Sequence, residues 1–161
     1  MGIVLAFIVA VVAVILDQVT KYIVVSNMLL GQTVPVIKDV FHFTYVQNTG
    51  AAFSILKDNM TLFYIITPIA LAVFIYMIIK ERNGSKFQLV LLGGIVGGTI
   101  GNFIDRVVNG YVVDFIDCRF IDFAVFNVAD IFLTCCVILY VIYLLTELVK
   151  DYKKNGGKNE Q

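Results

Sequence analysis

The chain has 161 residues, 24 of them charged and 60% hydrophobic, with a mean hydropathy of +0.90; a soluble domain carries roughly 25% charge and about half apolar residues, so an ordinary soluble fold is excluded. Twelve basic residues balance twelve acidic ones, which leaves no basic field for nucleic acid. The three cysteines, Cys118, Cys135 and Cys136, have no metal-type spacing and an odd count, which disfavours both a disulfide framework and a zinc site.

The first predicted element is an apolar run over residues 3–25, close to the roughly 20 residues a helix needs to cross a bilayer core. A cleavable leader needs a basic start and a small-residue cleavage site. Residues 1–7 carry no Lys or Arg, and the polar Asp17–Lys21 stretch gives way to more apolar residues, so a retained membrane helix is expected. Ala6 stands where a myristoylation signal places Ser or Thr, so no lipid anchor is expected.

Residues 26–60 follow as an outer segment. Within Val34–Val46, Phe41, Phe43 and Tyr45 alternate with His42 and Thr44. That period of two predicts short strands in a small sheet at the membrane surface, with Pro35 at a strand edge or start. Asn48-Thr49-Gly50 reads as a turn, because Asn and Gly tolerate positive φ.

Apolar runs over 61–79, 88–108 and 129–149 complete four spans, which together hold only six charges: Asp17, Lys21, Asp105, Arg106, Asp130 and Glu147. In the third, Gly93, Gly97 and Gly101 recur every four residues beside Gly94 and Gly98, the spacing of close helix packing. Between spans three and four lies the outer segment 109–128, in which Tyr111–Phe126 mixes aromatics with Asp114, Asp117, Arg119 and Asp122 and is expected as an amphipathic surface loop. Residues 150–161 read as a solvated tail. The expected fold is mainly α and integral to the membrane: four transmembrane helices with a small extracytoplasmic β-sheet and a surface loop, in a single membrane-embedded domain over 1–161.

Orientation follows from the basic residues outside the spans. Lys80, Arg82, Lys86, Lys150, Lys153, Lys154 and Lys158 lie on one side, and only Lys38, Lys57 and Arg119 on the other. The positive-inside rule then places both termini in the cytoplasm.

With that topology, one face of the membrane collects the polar residues near the spans: Asp17 and Lys21, Asn102, Asp105 and Arg106, Asp114, Asn127 and Asp130, with Asn48 in the outer sheet. Ionisable groups at membrane depth cost several kcal/mol unless paired or wetted. Asp17 and Lys21, four apart, suit a structural ion pair or snorkelling anchors. Asn102 and Arg106 share a face, and Arg106 suits a lipid phosphate or a carboxylate; Asp105 points elsewhere. His42 reads as a surface side chain, and Asp117 and Asp122 as solvated loop charges. Asp114 and Asp130 differ, because hydrophobic residues flank both where water meets hydrocarbon. Two carboxylates forced together share one proton, and a trapped water can then be activated by one and acidified by the other.

Residues alone also leave open a small transporter or channel, and a non-enzymatic membrane subunit that uses the glycine ladder as its contact face. The absence of charge in the second span counts against a transport pathway.

Five short motifs narrow this further: Asp17-Gln-Val-Thr-Lys21, Asn48-Thr-Gly-Ala-Ala-Phe53, Gly98-Thr-Ile-Gly-Asn-Phe-Ile-Asp-Arg106, Val113-Asp-Phe115 and Phe126-Asn-Val-Ala-Asp130. In this order on four spans they resemble the motif set of the lipoprotein signal peptidases, also called signal peptidase II. The resemblance implies an aspartic endopeptidase of the bacterial plasma membrane that removes signal peptides from prolipoproteins. It would cut before the diacylglyceryl-modified cysteine, with its active site at the outer face. It implies Asp114 and Asp130 as the catalytic dyad. Asp17, Lys21, Asn48, Gly50, Gly98, Asn102, Arg106 and Asn127 would bind substrate or support the site. It further implies no cofactor and no metal, inhibition by cyclic peptides of the globomycin type, and prolipoproteins and membrane lipids as partners of a monomer.

Overall fold

Apolar runs of this length can satisfy their backbone groups in lipid only as helices, and the structure, a computed structural model that describes residues 2–50, 60–121 and 123–156, contains four. They are α1 (Gly2–Asn27), α2 (Met60–Lys80), α3 (Lys86–Asn109) and α4 (Val128–Gly156). Each is long and apolar enough to cross a membrane. The expected mainly helical membrane architecture with a small sheet is therefore present.

α3 is the hub and touches the other three helices. In its most apolar stretch 67% of residues are buried, against none in that of α2, which faces outward. The glycine ladder explains the difference. A Cβ at Gly93 would collide with the Ala6 carbonyl and one at Gly97 would come 2.7 Å from that of Ala10, so this edge of α3 lies against the backbone of α1. Gly98 serves the opposite side, where a Cβ would sit 2.5 Å from the Ala129 carbonyl of α4. Small residues let helix backbones approach closely where lipid offers no hydrophobic drive for association. Interleaved with the ladder, Leu91, Leu92 and Ile95 of α3 pack with Tyr140 of α4.

β1 (Thr33–Ile37), β2 (Phe41–Asn48) and β3 (Val112–Cys118) form one antiparallel sheet in the order β1-β2-β3. Pro35 lies on β1, an outer strand, where a missing N–H costs no ladder bond. β3 corrects the expected surface loop. Val112, Val113, Asp114 and Phe115 are all buried, so the strand lacks the polar-apolar alternation that marks a half-exposed one. Val113 and Phe115 pack with Tyr45 and with Val24 of α1, which fixes the sheet to the end of the bundle where α1 and α3 finish and α4 begins. The turn into β3 is set by Gly110, whose φ of 75° closes α3 with its N–H on the Arg106 carbonyl at 3.1 Å.

Three local readings change. His42 is buried on the β2–β3 ladder, opposite Asp117, and neither ring nitrogen has a hydrogen-bond partner among the described residues. Asp117 is a buried strand residue, not a loop charge. Burial works to raise its pKa, but hydrogen bonds from Thr44 Oγ1 at 2.6 Å and Arg119 Nε at 3.0 Å hold it below the usual carboxylate range. The Asn48–Gly50 turn forms without positive φ at either residue; the Gly50 N–H instead bonds Asn48 Oδ1 at 2.9 Å. Asp122 and the Ala51-Ala52-Phe53 part of the second motif lie outside the described residues.

Candidate active site

α4 begins where its first turn caps itself. Asn127 Oδ1 accepts the Asp130 N–H at 2.9 Å, and Asp130 Oδ2 accepts the Asn127 N–H at 3.2 Å, a capping box with Asn127 at the N-cap and Asp130 three residues on. The box holds the Asp130 carboxylate at the positive end of a long helix.

β3 brings the second acid. Asp114 is 2% exposed, and its carboxylate accepts two amide hydrogens: from Asn127 Nδ2 at 2.7 Å on Oδ1 and from Asn48 Nδ2 at 2.9 Å on Oδ2. Asn127 therefore touches both acids. Burial pushes the Asp114 pKa up to about 7; the Asn48 bond opposes this and the nearby Asp130 charge adds to it.

α3 supplies the crossbar. Asn102 Nδ2 donates to Asp130 Oδ1 at 2.7 Å, while its Oδ1 accepts from Lys21 Nζ at 3.0 Å and Asn127 Nδ2 at 2.9 Å. Two donors on that oxygen fix the orientation of the amide, so its nitrogen must face Asp130.

Beneath the two acids lies a buried ionic cluster. Lys21 Nζ pairs with Asp17 Oδ2 at 2.8 Å and Asp105 Oδ2 at 3.0 Å. Asp17 Oδ1 accepts the Ala129 N–H at 2.9 Å, Asp105 Oδ2 accepts the Val113 N–H at 2.9 Å, and room for Asp17 exists because Gly101 has no side chain. The expectation that Asp105 points away is thus corrected. Three residues along α3 from Asn102, it reaches the same lysine and orients β3 one residue before Asp114.

Arg106 sits at the rim. Its Nη2 donates to the Gly50 carbonyl at 3.2 Å, and its Cζ lies 4.4 Å from the centroid of the Phe63 ring. Gly98 has its place at the crossing with α4, beside Ala129. The ten residues singled out from the sequence thus occupy one end of the bundle.

Three neighbours were not singled out from the sequence. Gln18 Nε2 lies within hydrogen-bond distance of Asp17 Oδ2, the Gly101 carbonyl and Asp105 Oδ1, at 3.1, 3.2 and 3.1 Å. Phe63 and Tyr64 of α2 both engage Arg106, the latter through its hydroxyl on the Arg106 carbonyl at 2.8 Å. An amide beside Asp17 in an apolar helix was the available clue for Gln18. Nothing in the sequence marks the aromatic pair.

Chemically, the arrangement presents two carboxyl groups bridged by one asparagine, one backed by a helix N-terminus and the other buried, with its pKa pushed up to about 7. Among the described residues no three His, Cys, Asp or Glu side chains gather as metal ligands.

A family model described as signal peptidase (SPase) II matches residues 9–146. A lipoprotein signal peptidase of Shouchella clausii (strain KSM-K16) is 46% identical over 157 residues, covering 98% of this chain and 97% of its own. One of Enterococcus faecalis (strain ATCC 700802 / V583) is 44% identical, covering 93% and 94%. Among solved structures, a bacterial membrane enzyme determined by the in meso method at 2.3 Å superposes with a TM-score of 0.83 at 44% identity, over 89% of this chain and 88% of that one.

Proposed function

The chain belongs to the signal peptidase II family, and on that premise we propose that it is a multi-pass membrane aspartic endopeptidase that removes the signal peptide from diacylglyceryl-modified prolipoproteins, cutting before the lipid-bearing cysteine. Asp114 and Asp130 form its dyad, with both termini cytoplasmic and the dyad at the outer face. The observation that carries this reading is the double grip of Asn127, which hydrogen-bonds Asp114 through Nδ2 and Asp130 through Oδ1 and its own N–H.

One proton is shared between the acids, and Asp114 is its principal holder. The end of α4 favours negative charge on Asp130, which is only half-buried, while the deeper burial of Asp114 favours its neutral form. Asp130 then takes a proton from a water as its oxygen attacks the scissile carbonyl, and Asp114 donates its proton to the carbonyl oxygen. In the second step the tetrahedral intermediate returns a proton to Asp114, Asp130 protonates the leaving nitrogen, and the C–N bond breaks. Both acids end in their starting states. Asn102, Asn127 and Asn48 do not titrate near neutrality, so they position the dyad, and Arg106 orders the rim through Gly50. Lys21, Asp17 and Gly98 support the frame.

Substrate geometry agrees with this depth. The apolar core of a signal peptide spans the bilayer, so its cleavage site emerges at the outer surface, the side to which the sparse basic residues assign the sheet. The test is incubation of the purified protein with a diacylglyceryl-modified prolipoprotein. Release of a signal peptide ending just before the modified cysteine is expected; an intact precursor, or cleavage elsewhere, overturns the reading.

A further inference from the structure

Among the described residues Arg106 finds fewer hydrogen-bond partners than its chemistry allows. A guanidinium has five N–H donors. Among the described residues one reaches the Gly50 carbonyl at 3.2 Å, another makes a long contact to the Asn102 carbonyl at 3.4 Å, and the buried Nε has no partner. Among the described residues no carboxylate forms a salt bridge with it. Two bonds to carbonyls, one of them long, leave the plane free to tilt unless something else fixes it.

α2 provides that constraint. The Phe63 ring lies under the guanidinium carbon at 4.4 Å, within the range at which the negative face of an aromatic ring attracts a cation. The next residue grips the other end of the same amino acid, with the Tyr64 hydroxyl on the Arg106 carbonyl at 2.8 Å. From Arg106 the contacts run inward: Nη2 to the Gly50 carbonyl, the Gly50 N–H to Asn48 Oδ1 at 2.9 Å, and Asn48 Nδ2 to Asp114 Oδ2 at 2.9 Å. With its oxygen occupied by Gly50, Asn48 can present only its nitrogen to the acid.

We infer that Phe63 and Tyr64 are positioning residues for peptide hydrolysis: they fix the Arg106 guanidinium, and through Gly50 and Asn48 they fix the orientation of Asp114. The inference rests on the peptidase reading above and adds α2, the helix with the least buried surface, to the parts that set the dyad. An aromatic residue that merely filled space or met lipid at this depth would depend on ring size and not on ring electrons.

The experiment separates these by replacing Phe63 with phenylalanines carrying one, two and three ring fluorines, which keep the shape and progressively drain the negative face. Cleavage of a diacylglyceryl-modified prolipoprotein is expected to fall stepwise, by about tenfold in kcat/KM at three fluorines, with thermal stability unchanged. Phe63→Leu is expected to match the trifluoro protein and Phe63→Tyr to stay near wild type. Tyr64→Phe is expected to lower kcat several-fold with KM unchanged. A flat fluorine series with the wild-type chain active overturns this inference and leaves the peptidase reading intact. A wild-type chain that does not cleave removes both.

Discussion

Asn127 and Asp130 exchange two hydrogen bonds, amide oxygen to backbone N–H at 2.9 Å and carboxylate to backbone N–H at 3.2 Å, so the residue that starts the last helix also fixes the acid it carries. The Asn127 side chain has a second duty, because its Nδ2 reaches Asp114 at 2.7 Å.

Serine at position 127 separates these duties. It can still accept the Asp130 N–H as an N-cap but has no amide to give Asp114. Asn127→Ser is expected to unfold within about 0.5 kcal/mol of wild type and to lose roughly a hundredfold in kcat, whereas Asn127→Ala loses about 1 kcal/mol as well. Denaturation in micelles and precursor-cleavage kinetics check both.

Asp114→Asn and Asp130→Asn each remove one half of the proposed proton relay while keeping side-chain size, at the loss of one of the two acceptor oxygens that the N–H donors of the site use. Turnover is expected to fall by about a thousandfold or more in each, with a cooperative unfolding transition retained. Substantial cleavage by either variant would exclude the dyad.

The pH profile carries a sign. Asp114 must hold its proton to act as the acid, and its pKa is pushed up to about 7. It is neutral below that value and charged above it, so kcat is expected to decline as pH rises through about 7, one decade per pH unit at the limit. Steady-state cleavage between pH 5 and 9 measures this limb; a rate that holds constant to pH 9 contradicts the assignment.

Lys21→Met strands the Asp17 and Asp105 carboxylates, each paired with its ammonium within 3.0 Å. Removing one partner of a buried ionic network costs about 3–5 kcal/mol. A large drop in the unfolding midpoint is expected, together with loss of activity, because Asn102 also loses the donor that orients it.

Gly98→Ala and Gly93→Ala test whether crowding matters by place. A methyl at Gly98 presses on the Ala129 carbonyl, one residue before Asp130, while one at Gly93 presses on Ala6 near the far end of α1. Both are expected to cost about 1–3 kcal/mol. Only Gly98→Ala is expected to lower kcat at a temperature where both variants are folded.

The helices were legible because membrane-length apolar runs admit no other structure in lipid, and β2 because Phe41, Phe43 and Tyr45 alternate with polar neighbours. β3 was not, because Val112, Val113 and Phe115 flank Asp114 without alternation and the strand is recognised only by its partner β2. His42 and Asp117 were misplaced for the same reason: the ladder that buries them joins distant segments. At the site, Asp17 and Lys21 follow helical spacing, and the Asn127-x-x-Asp130 spacing already spells a capping box. The role of Asp105 was hidden because it depends on Lys21, and those of Phe63 and Tyr64 because their contacts with Arg106 span some forty residues of chain.

The bond from Ala129 to the carboxylate of Asp17 ties together residues 112 positions apart. During synthesis that acid must wait, its other neighbours already delivered, until the final helix enters the bilayer. On the proposed dyad, a ribosome-bound chain lacking the last span is therefore expected to be unfinished and inert toward the precursors maturing beside it, and truncation anywhere before position 130 is expected to leave no active remnant.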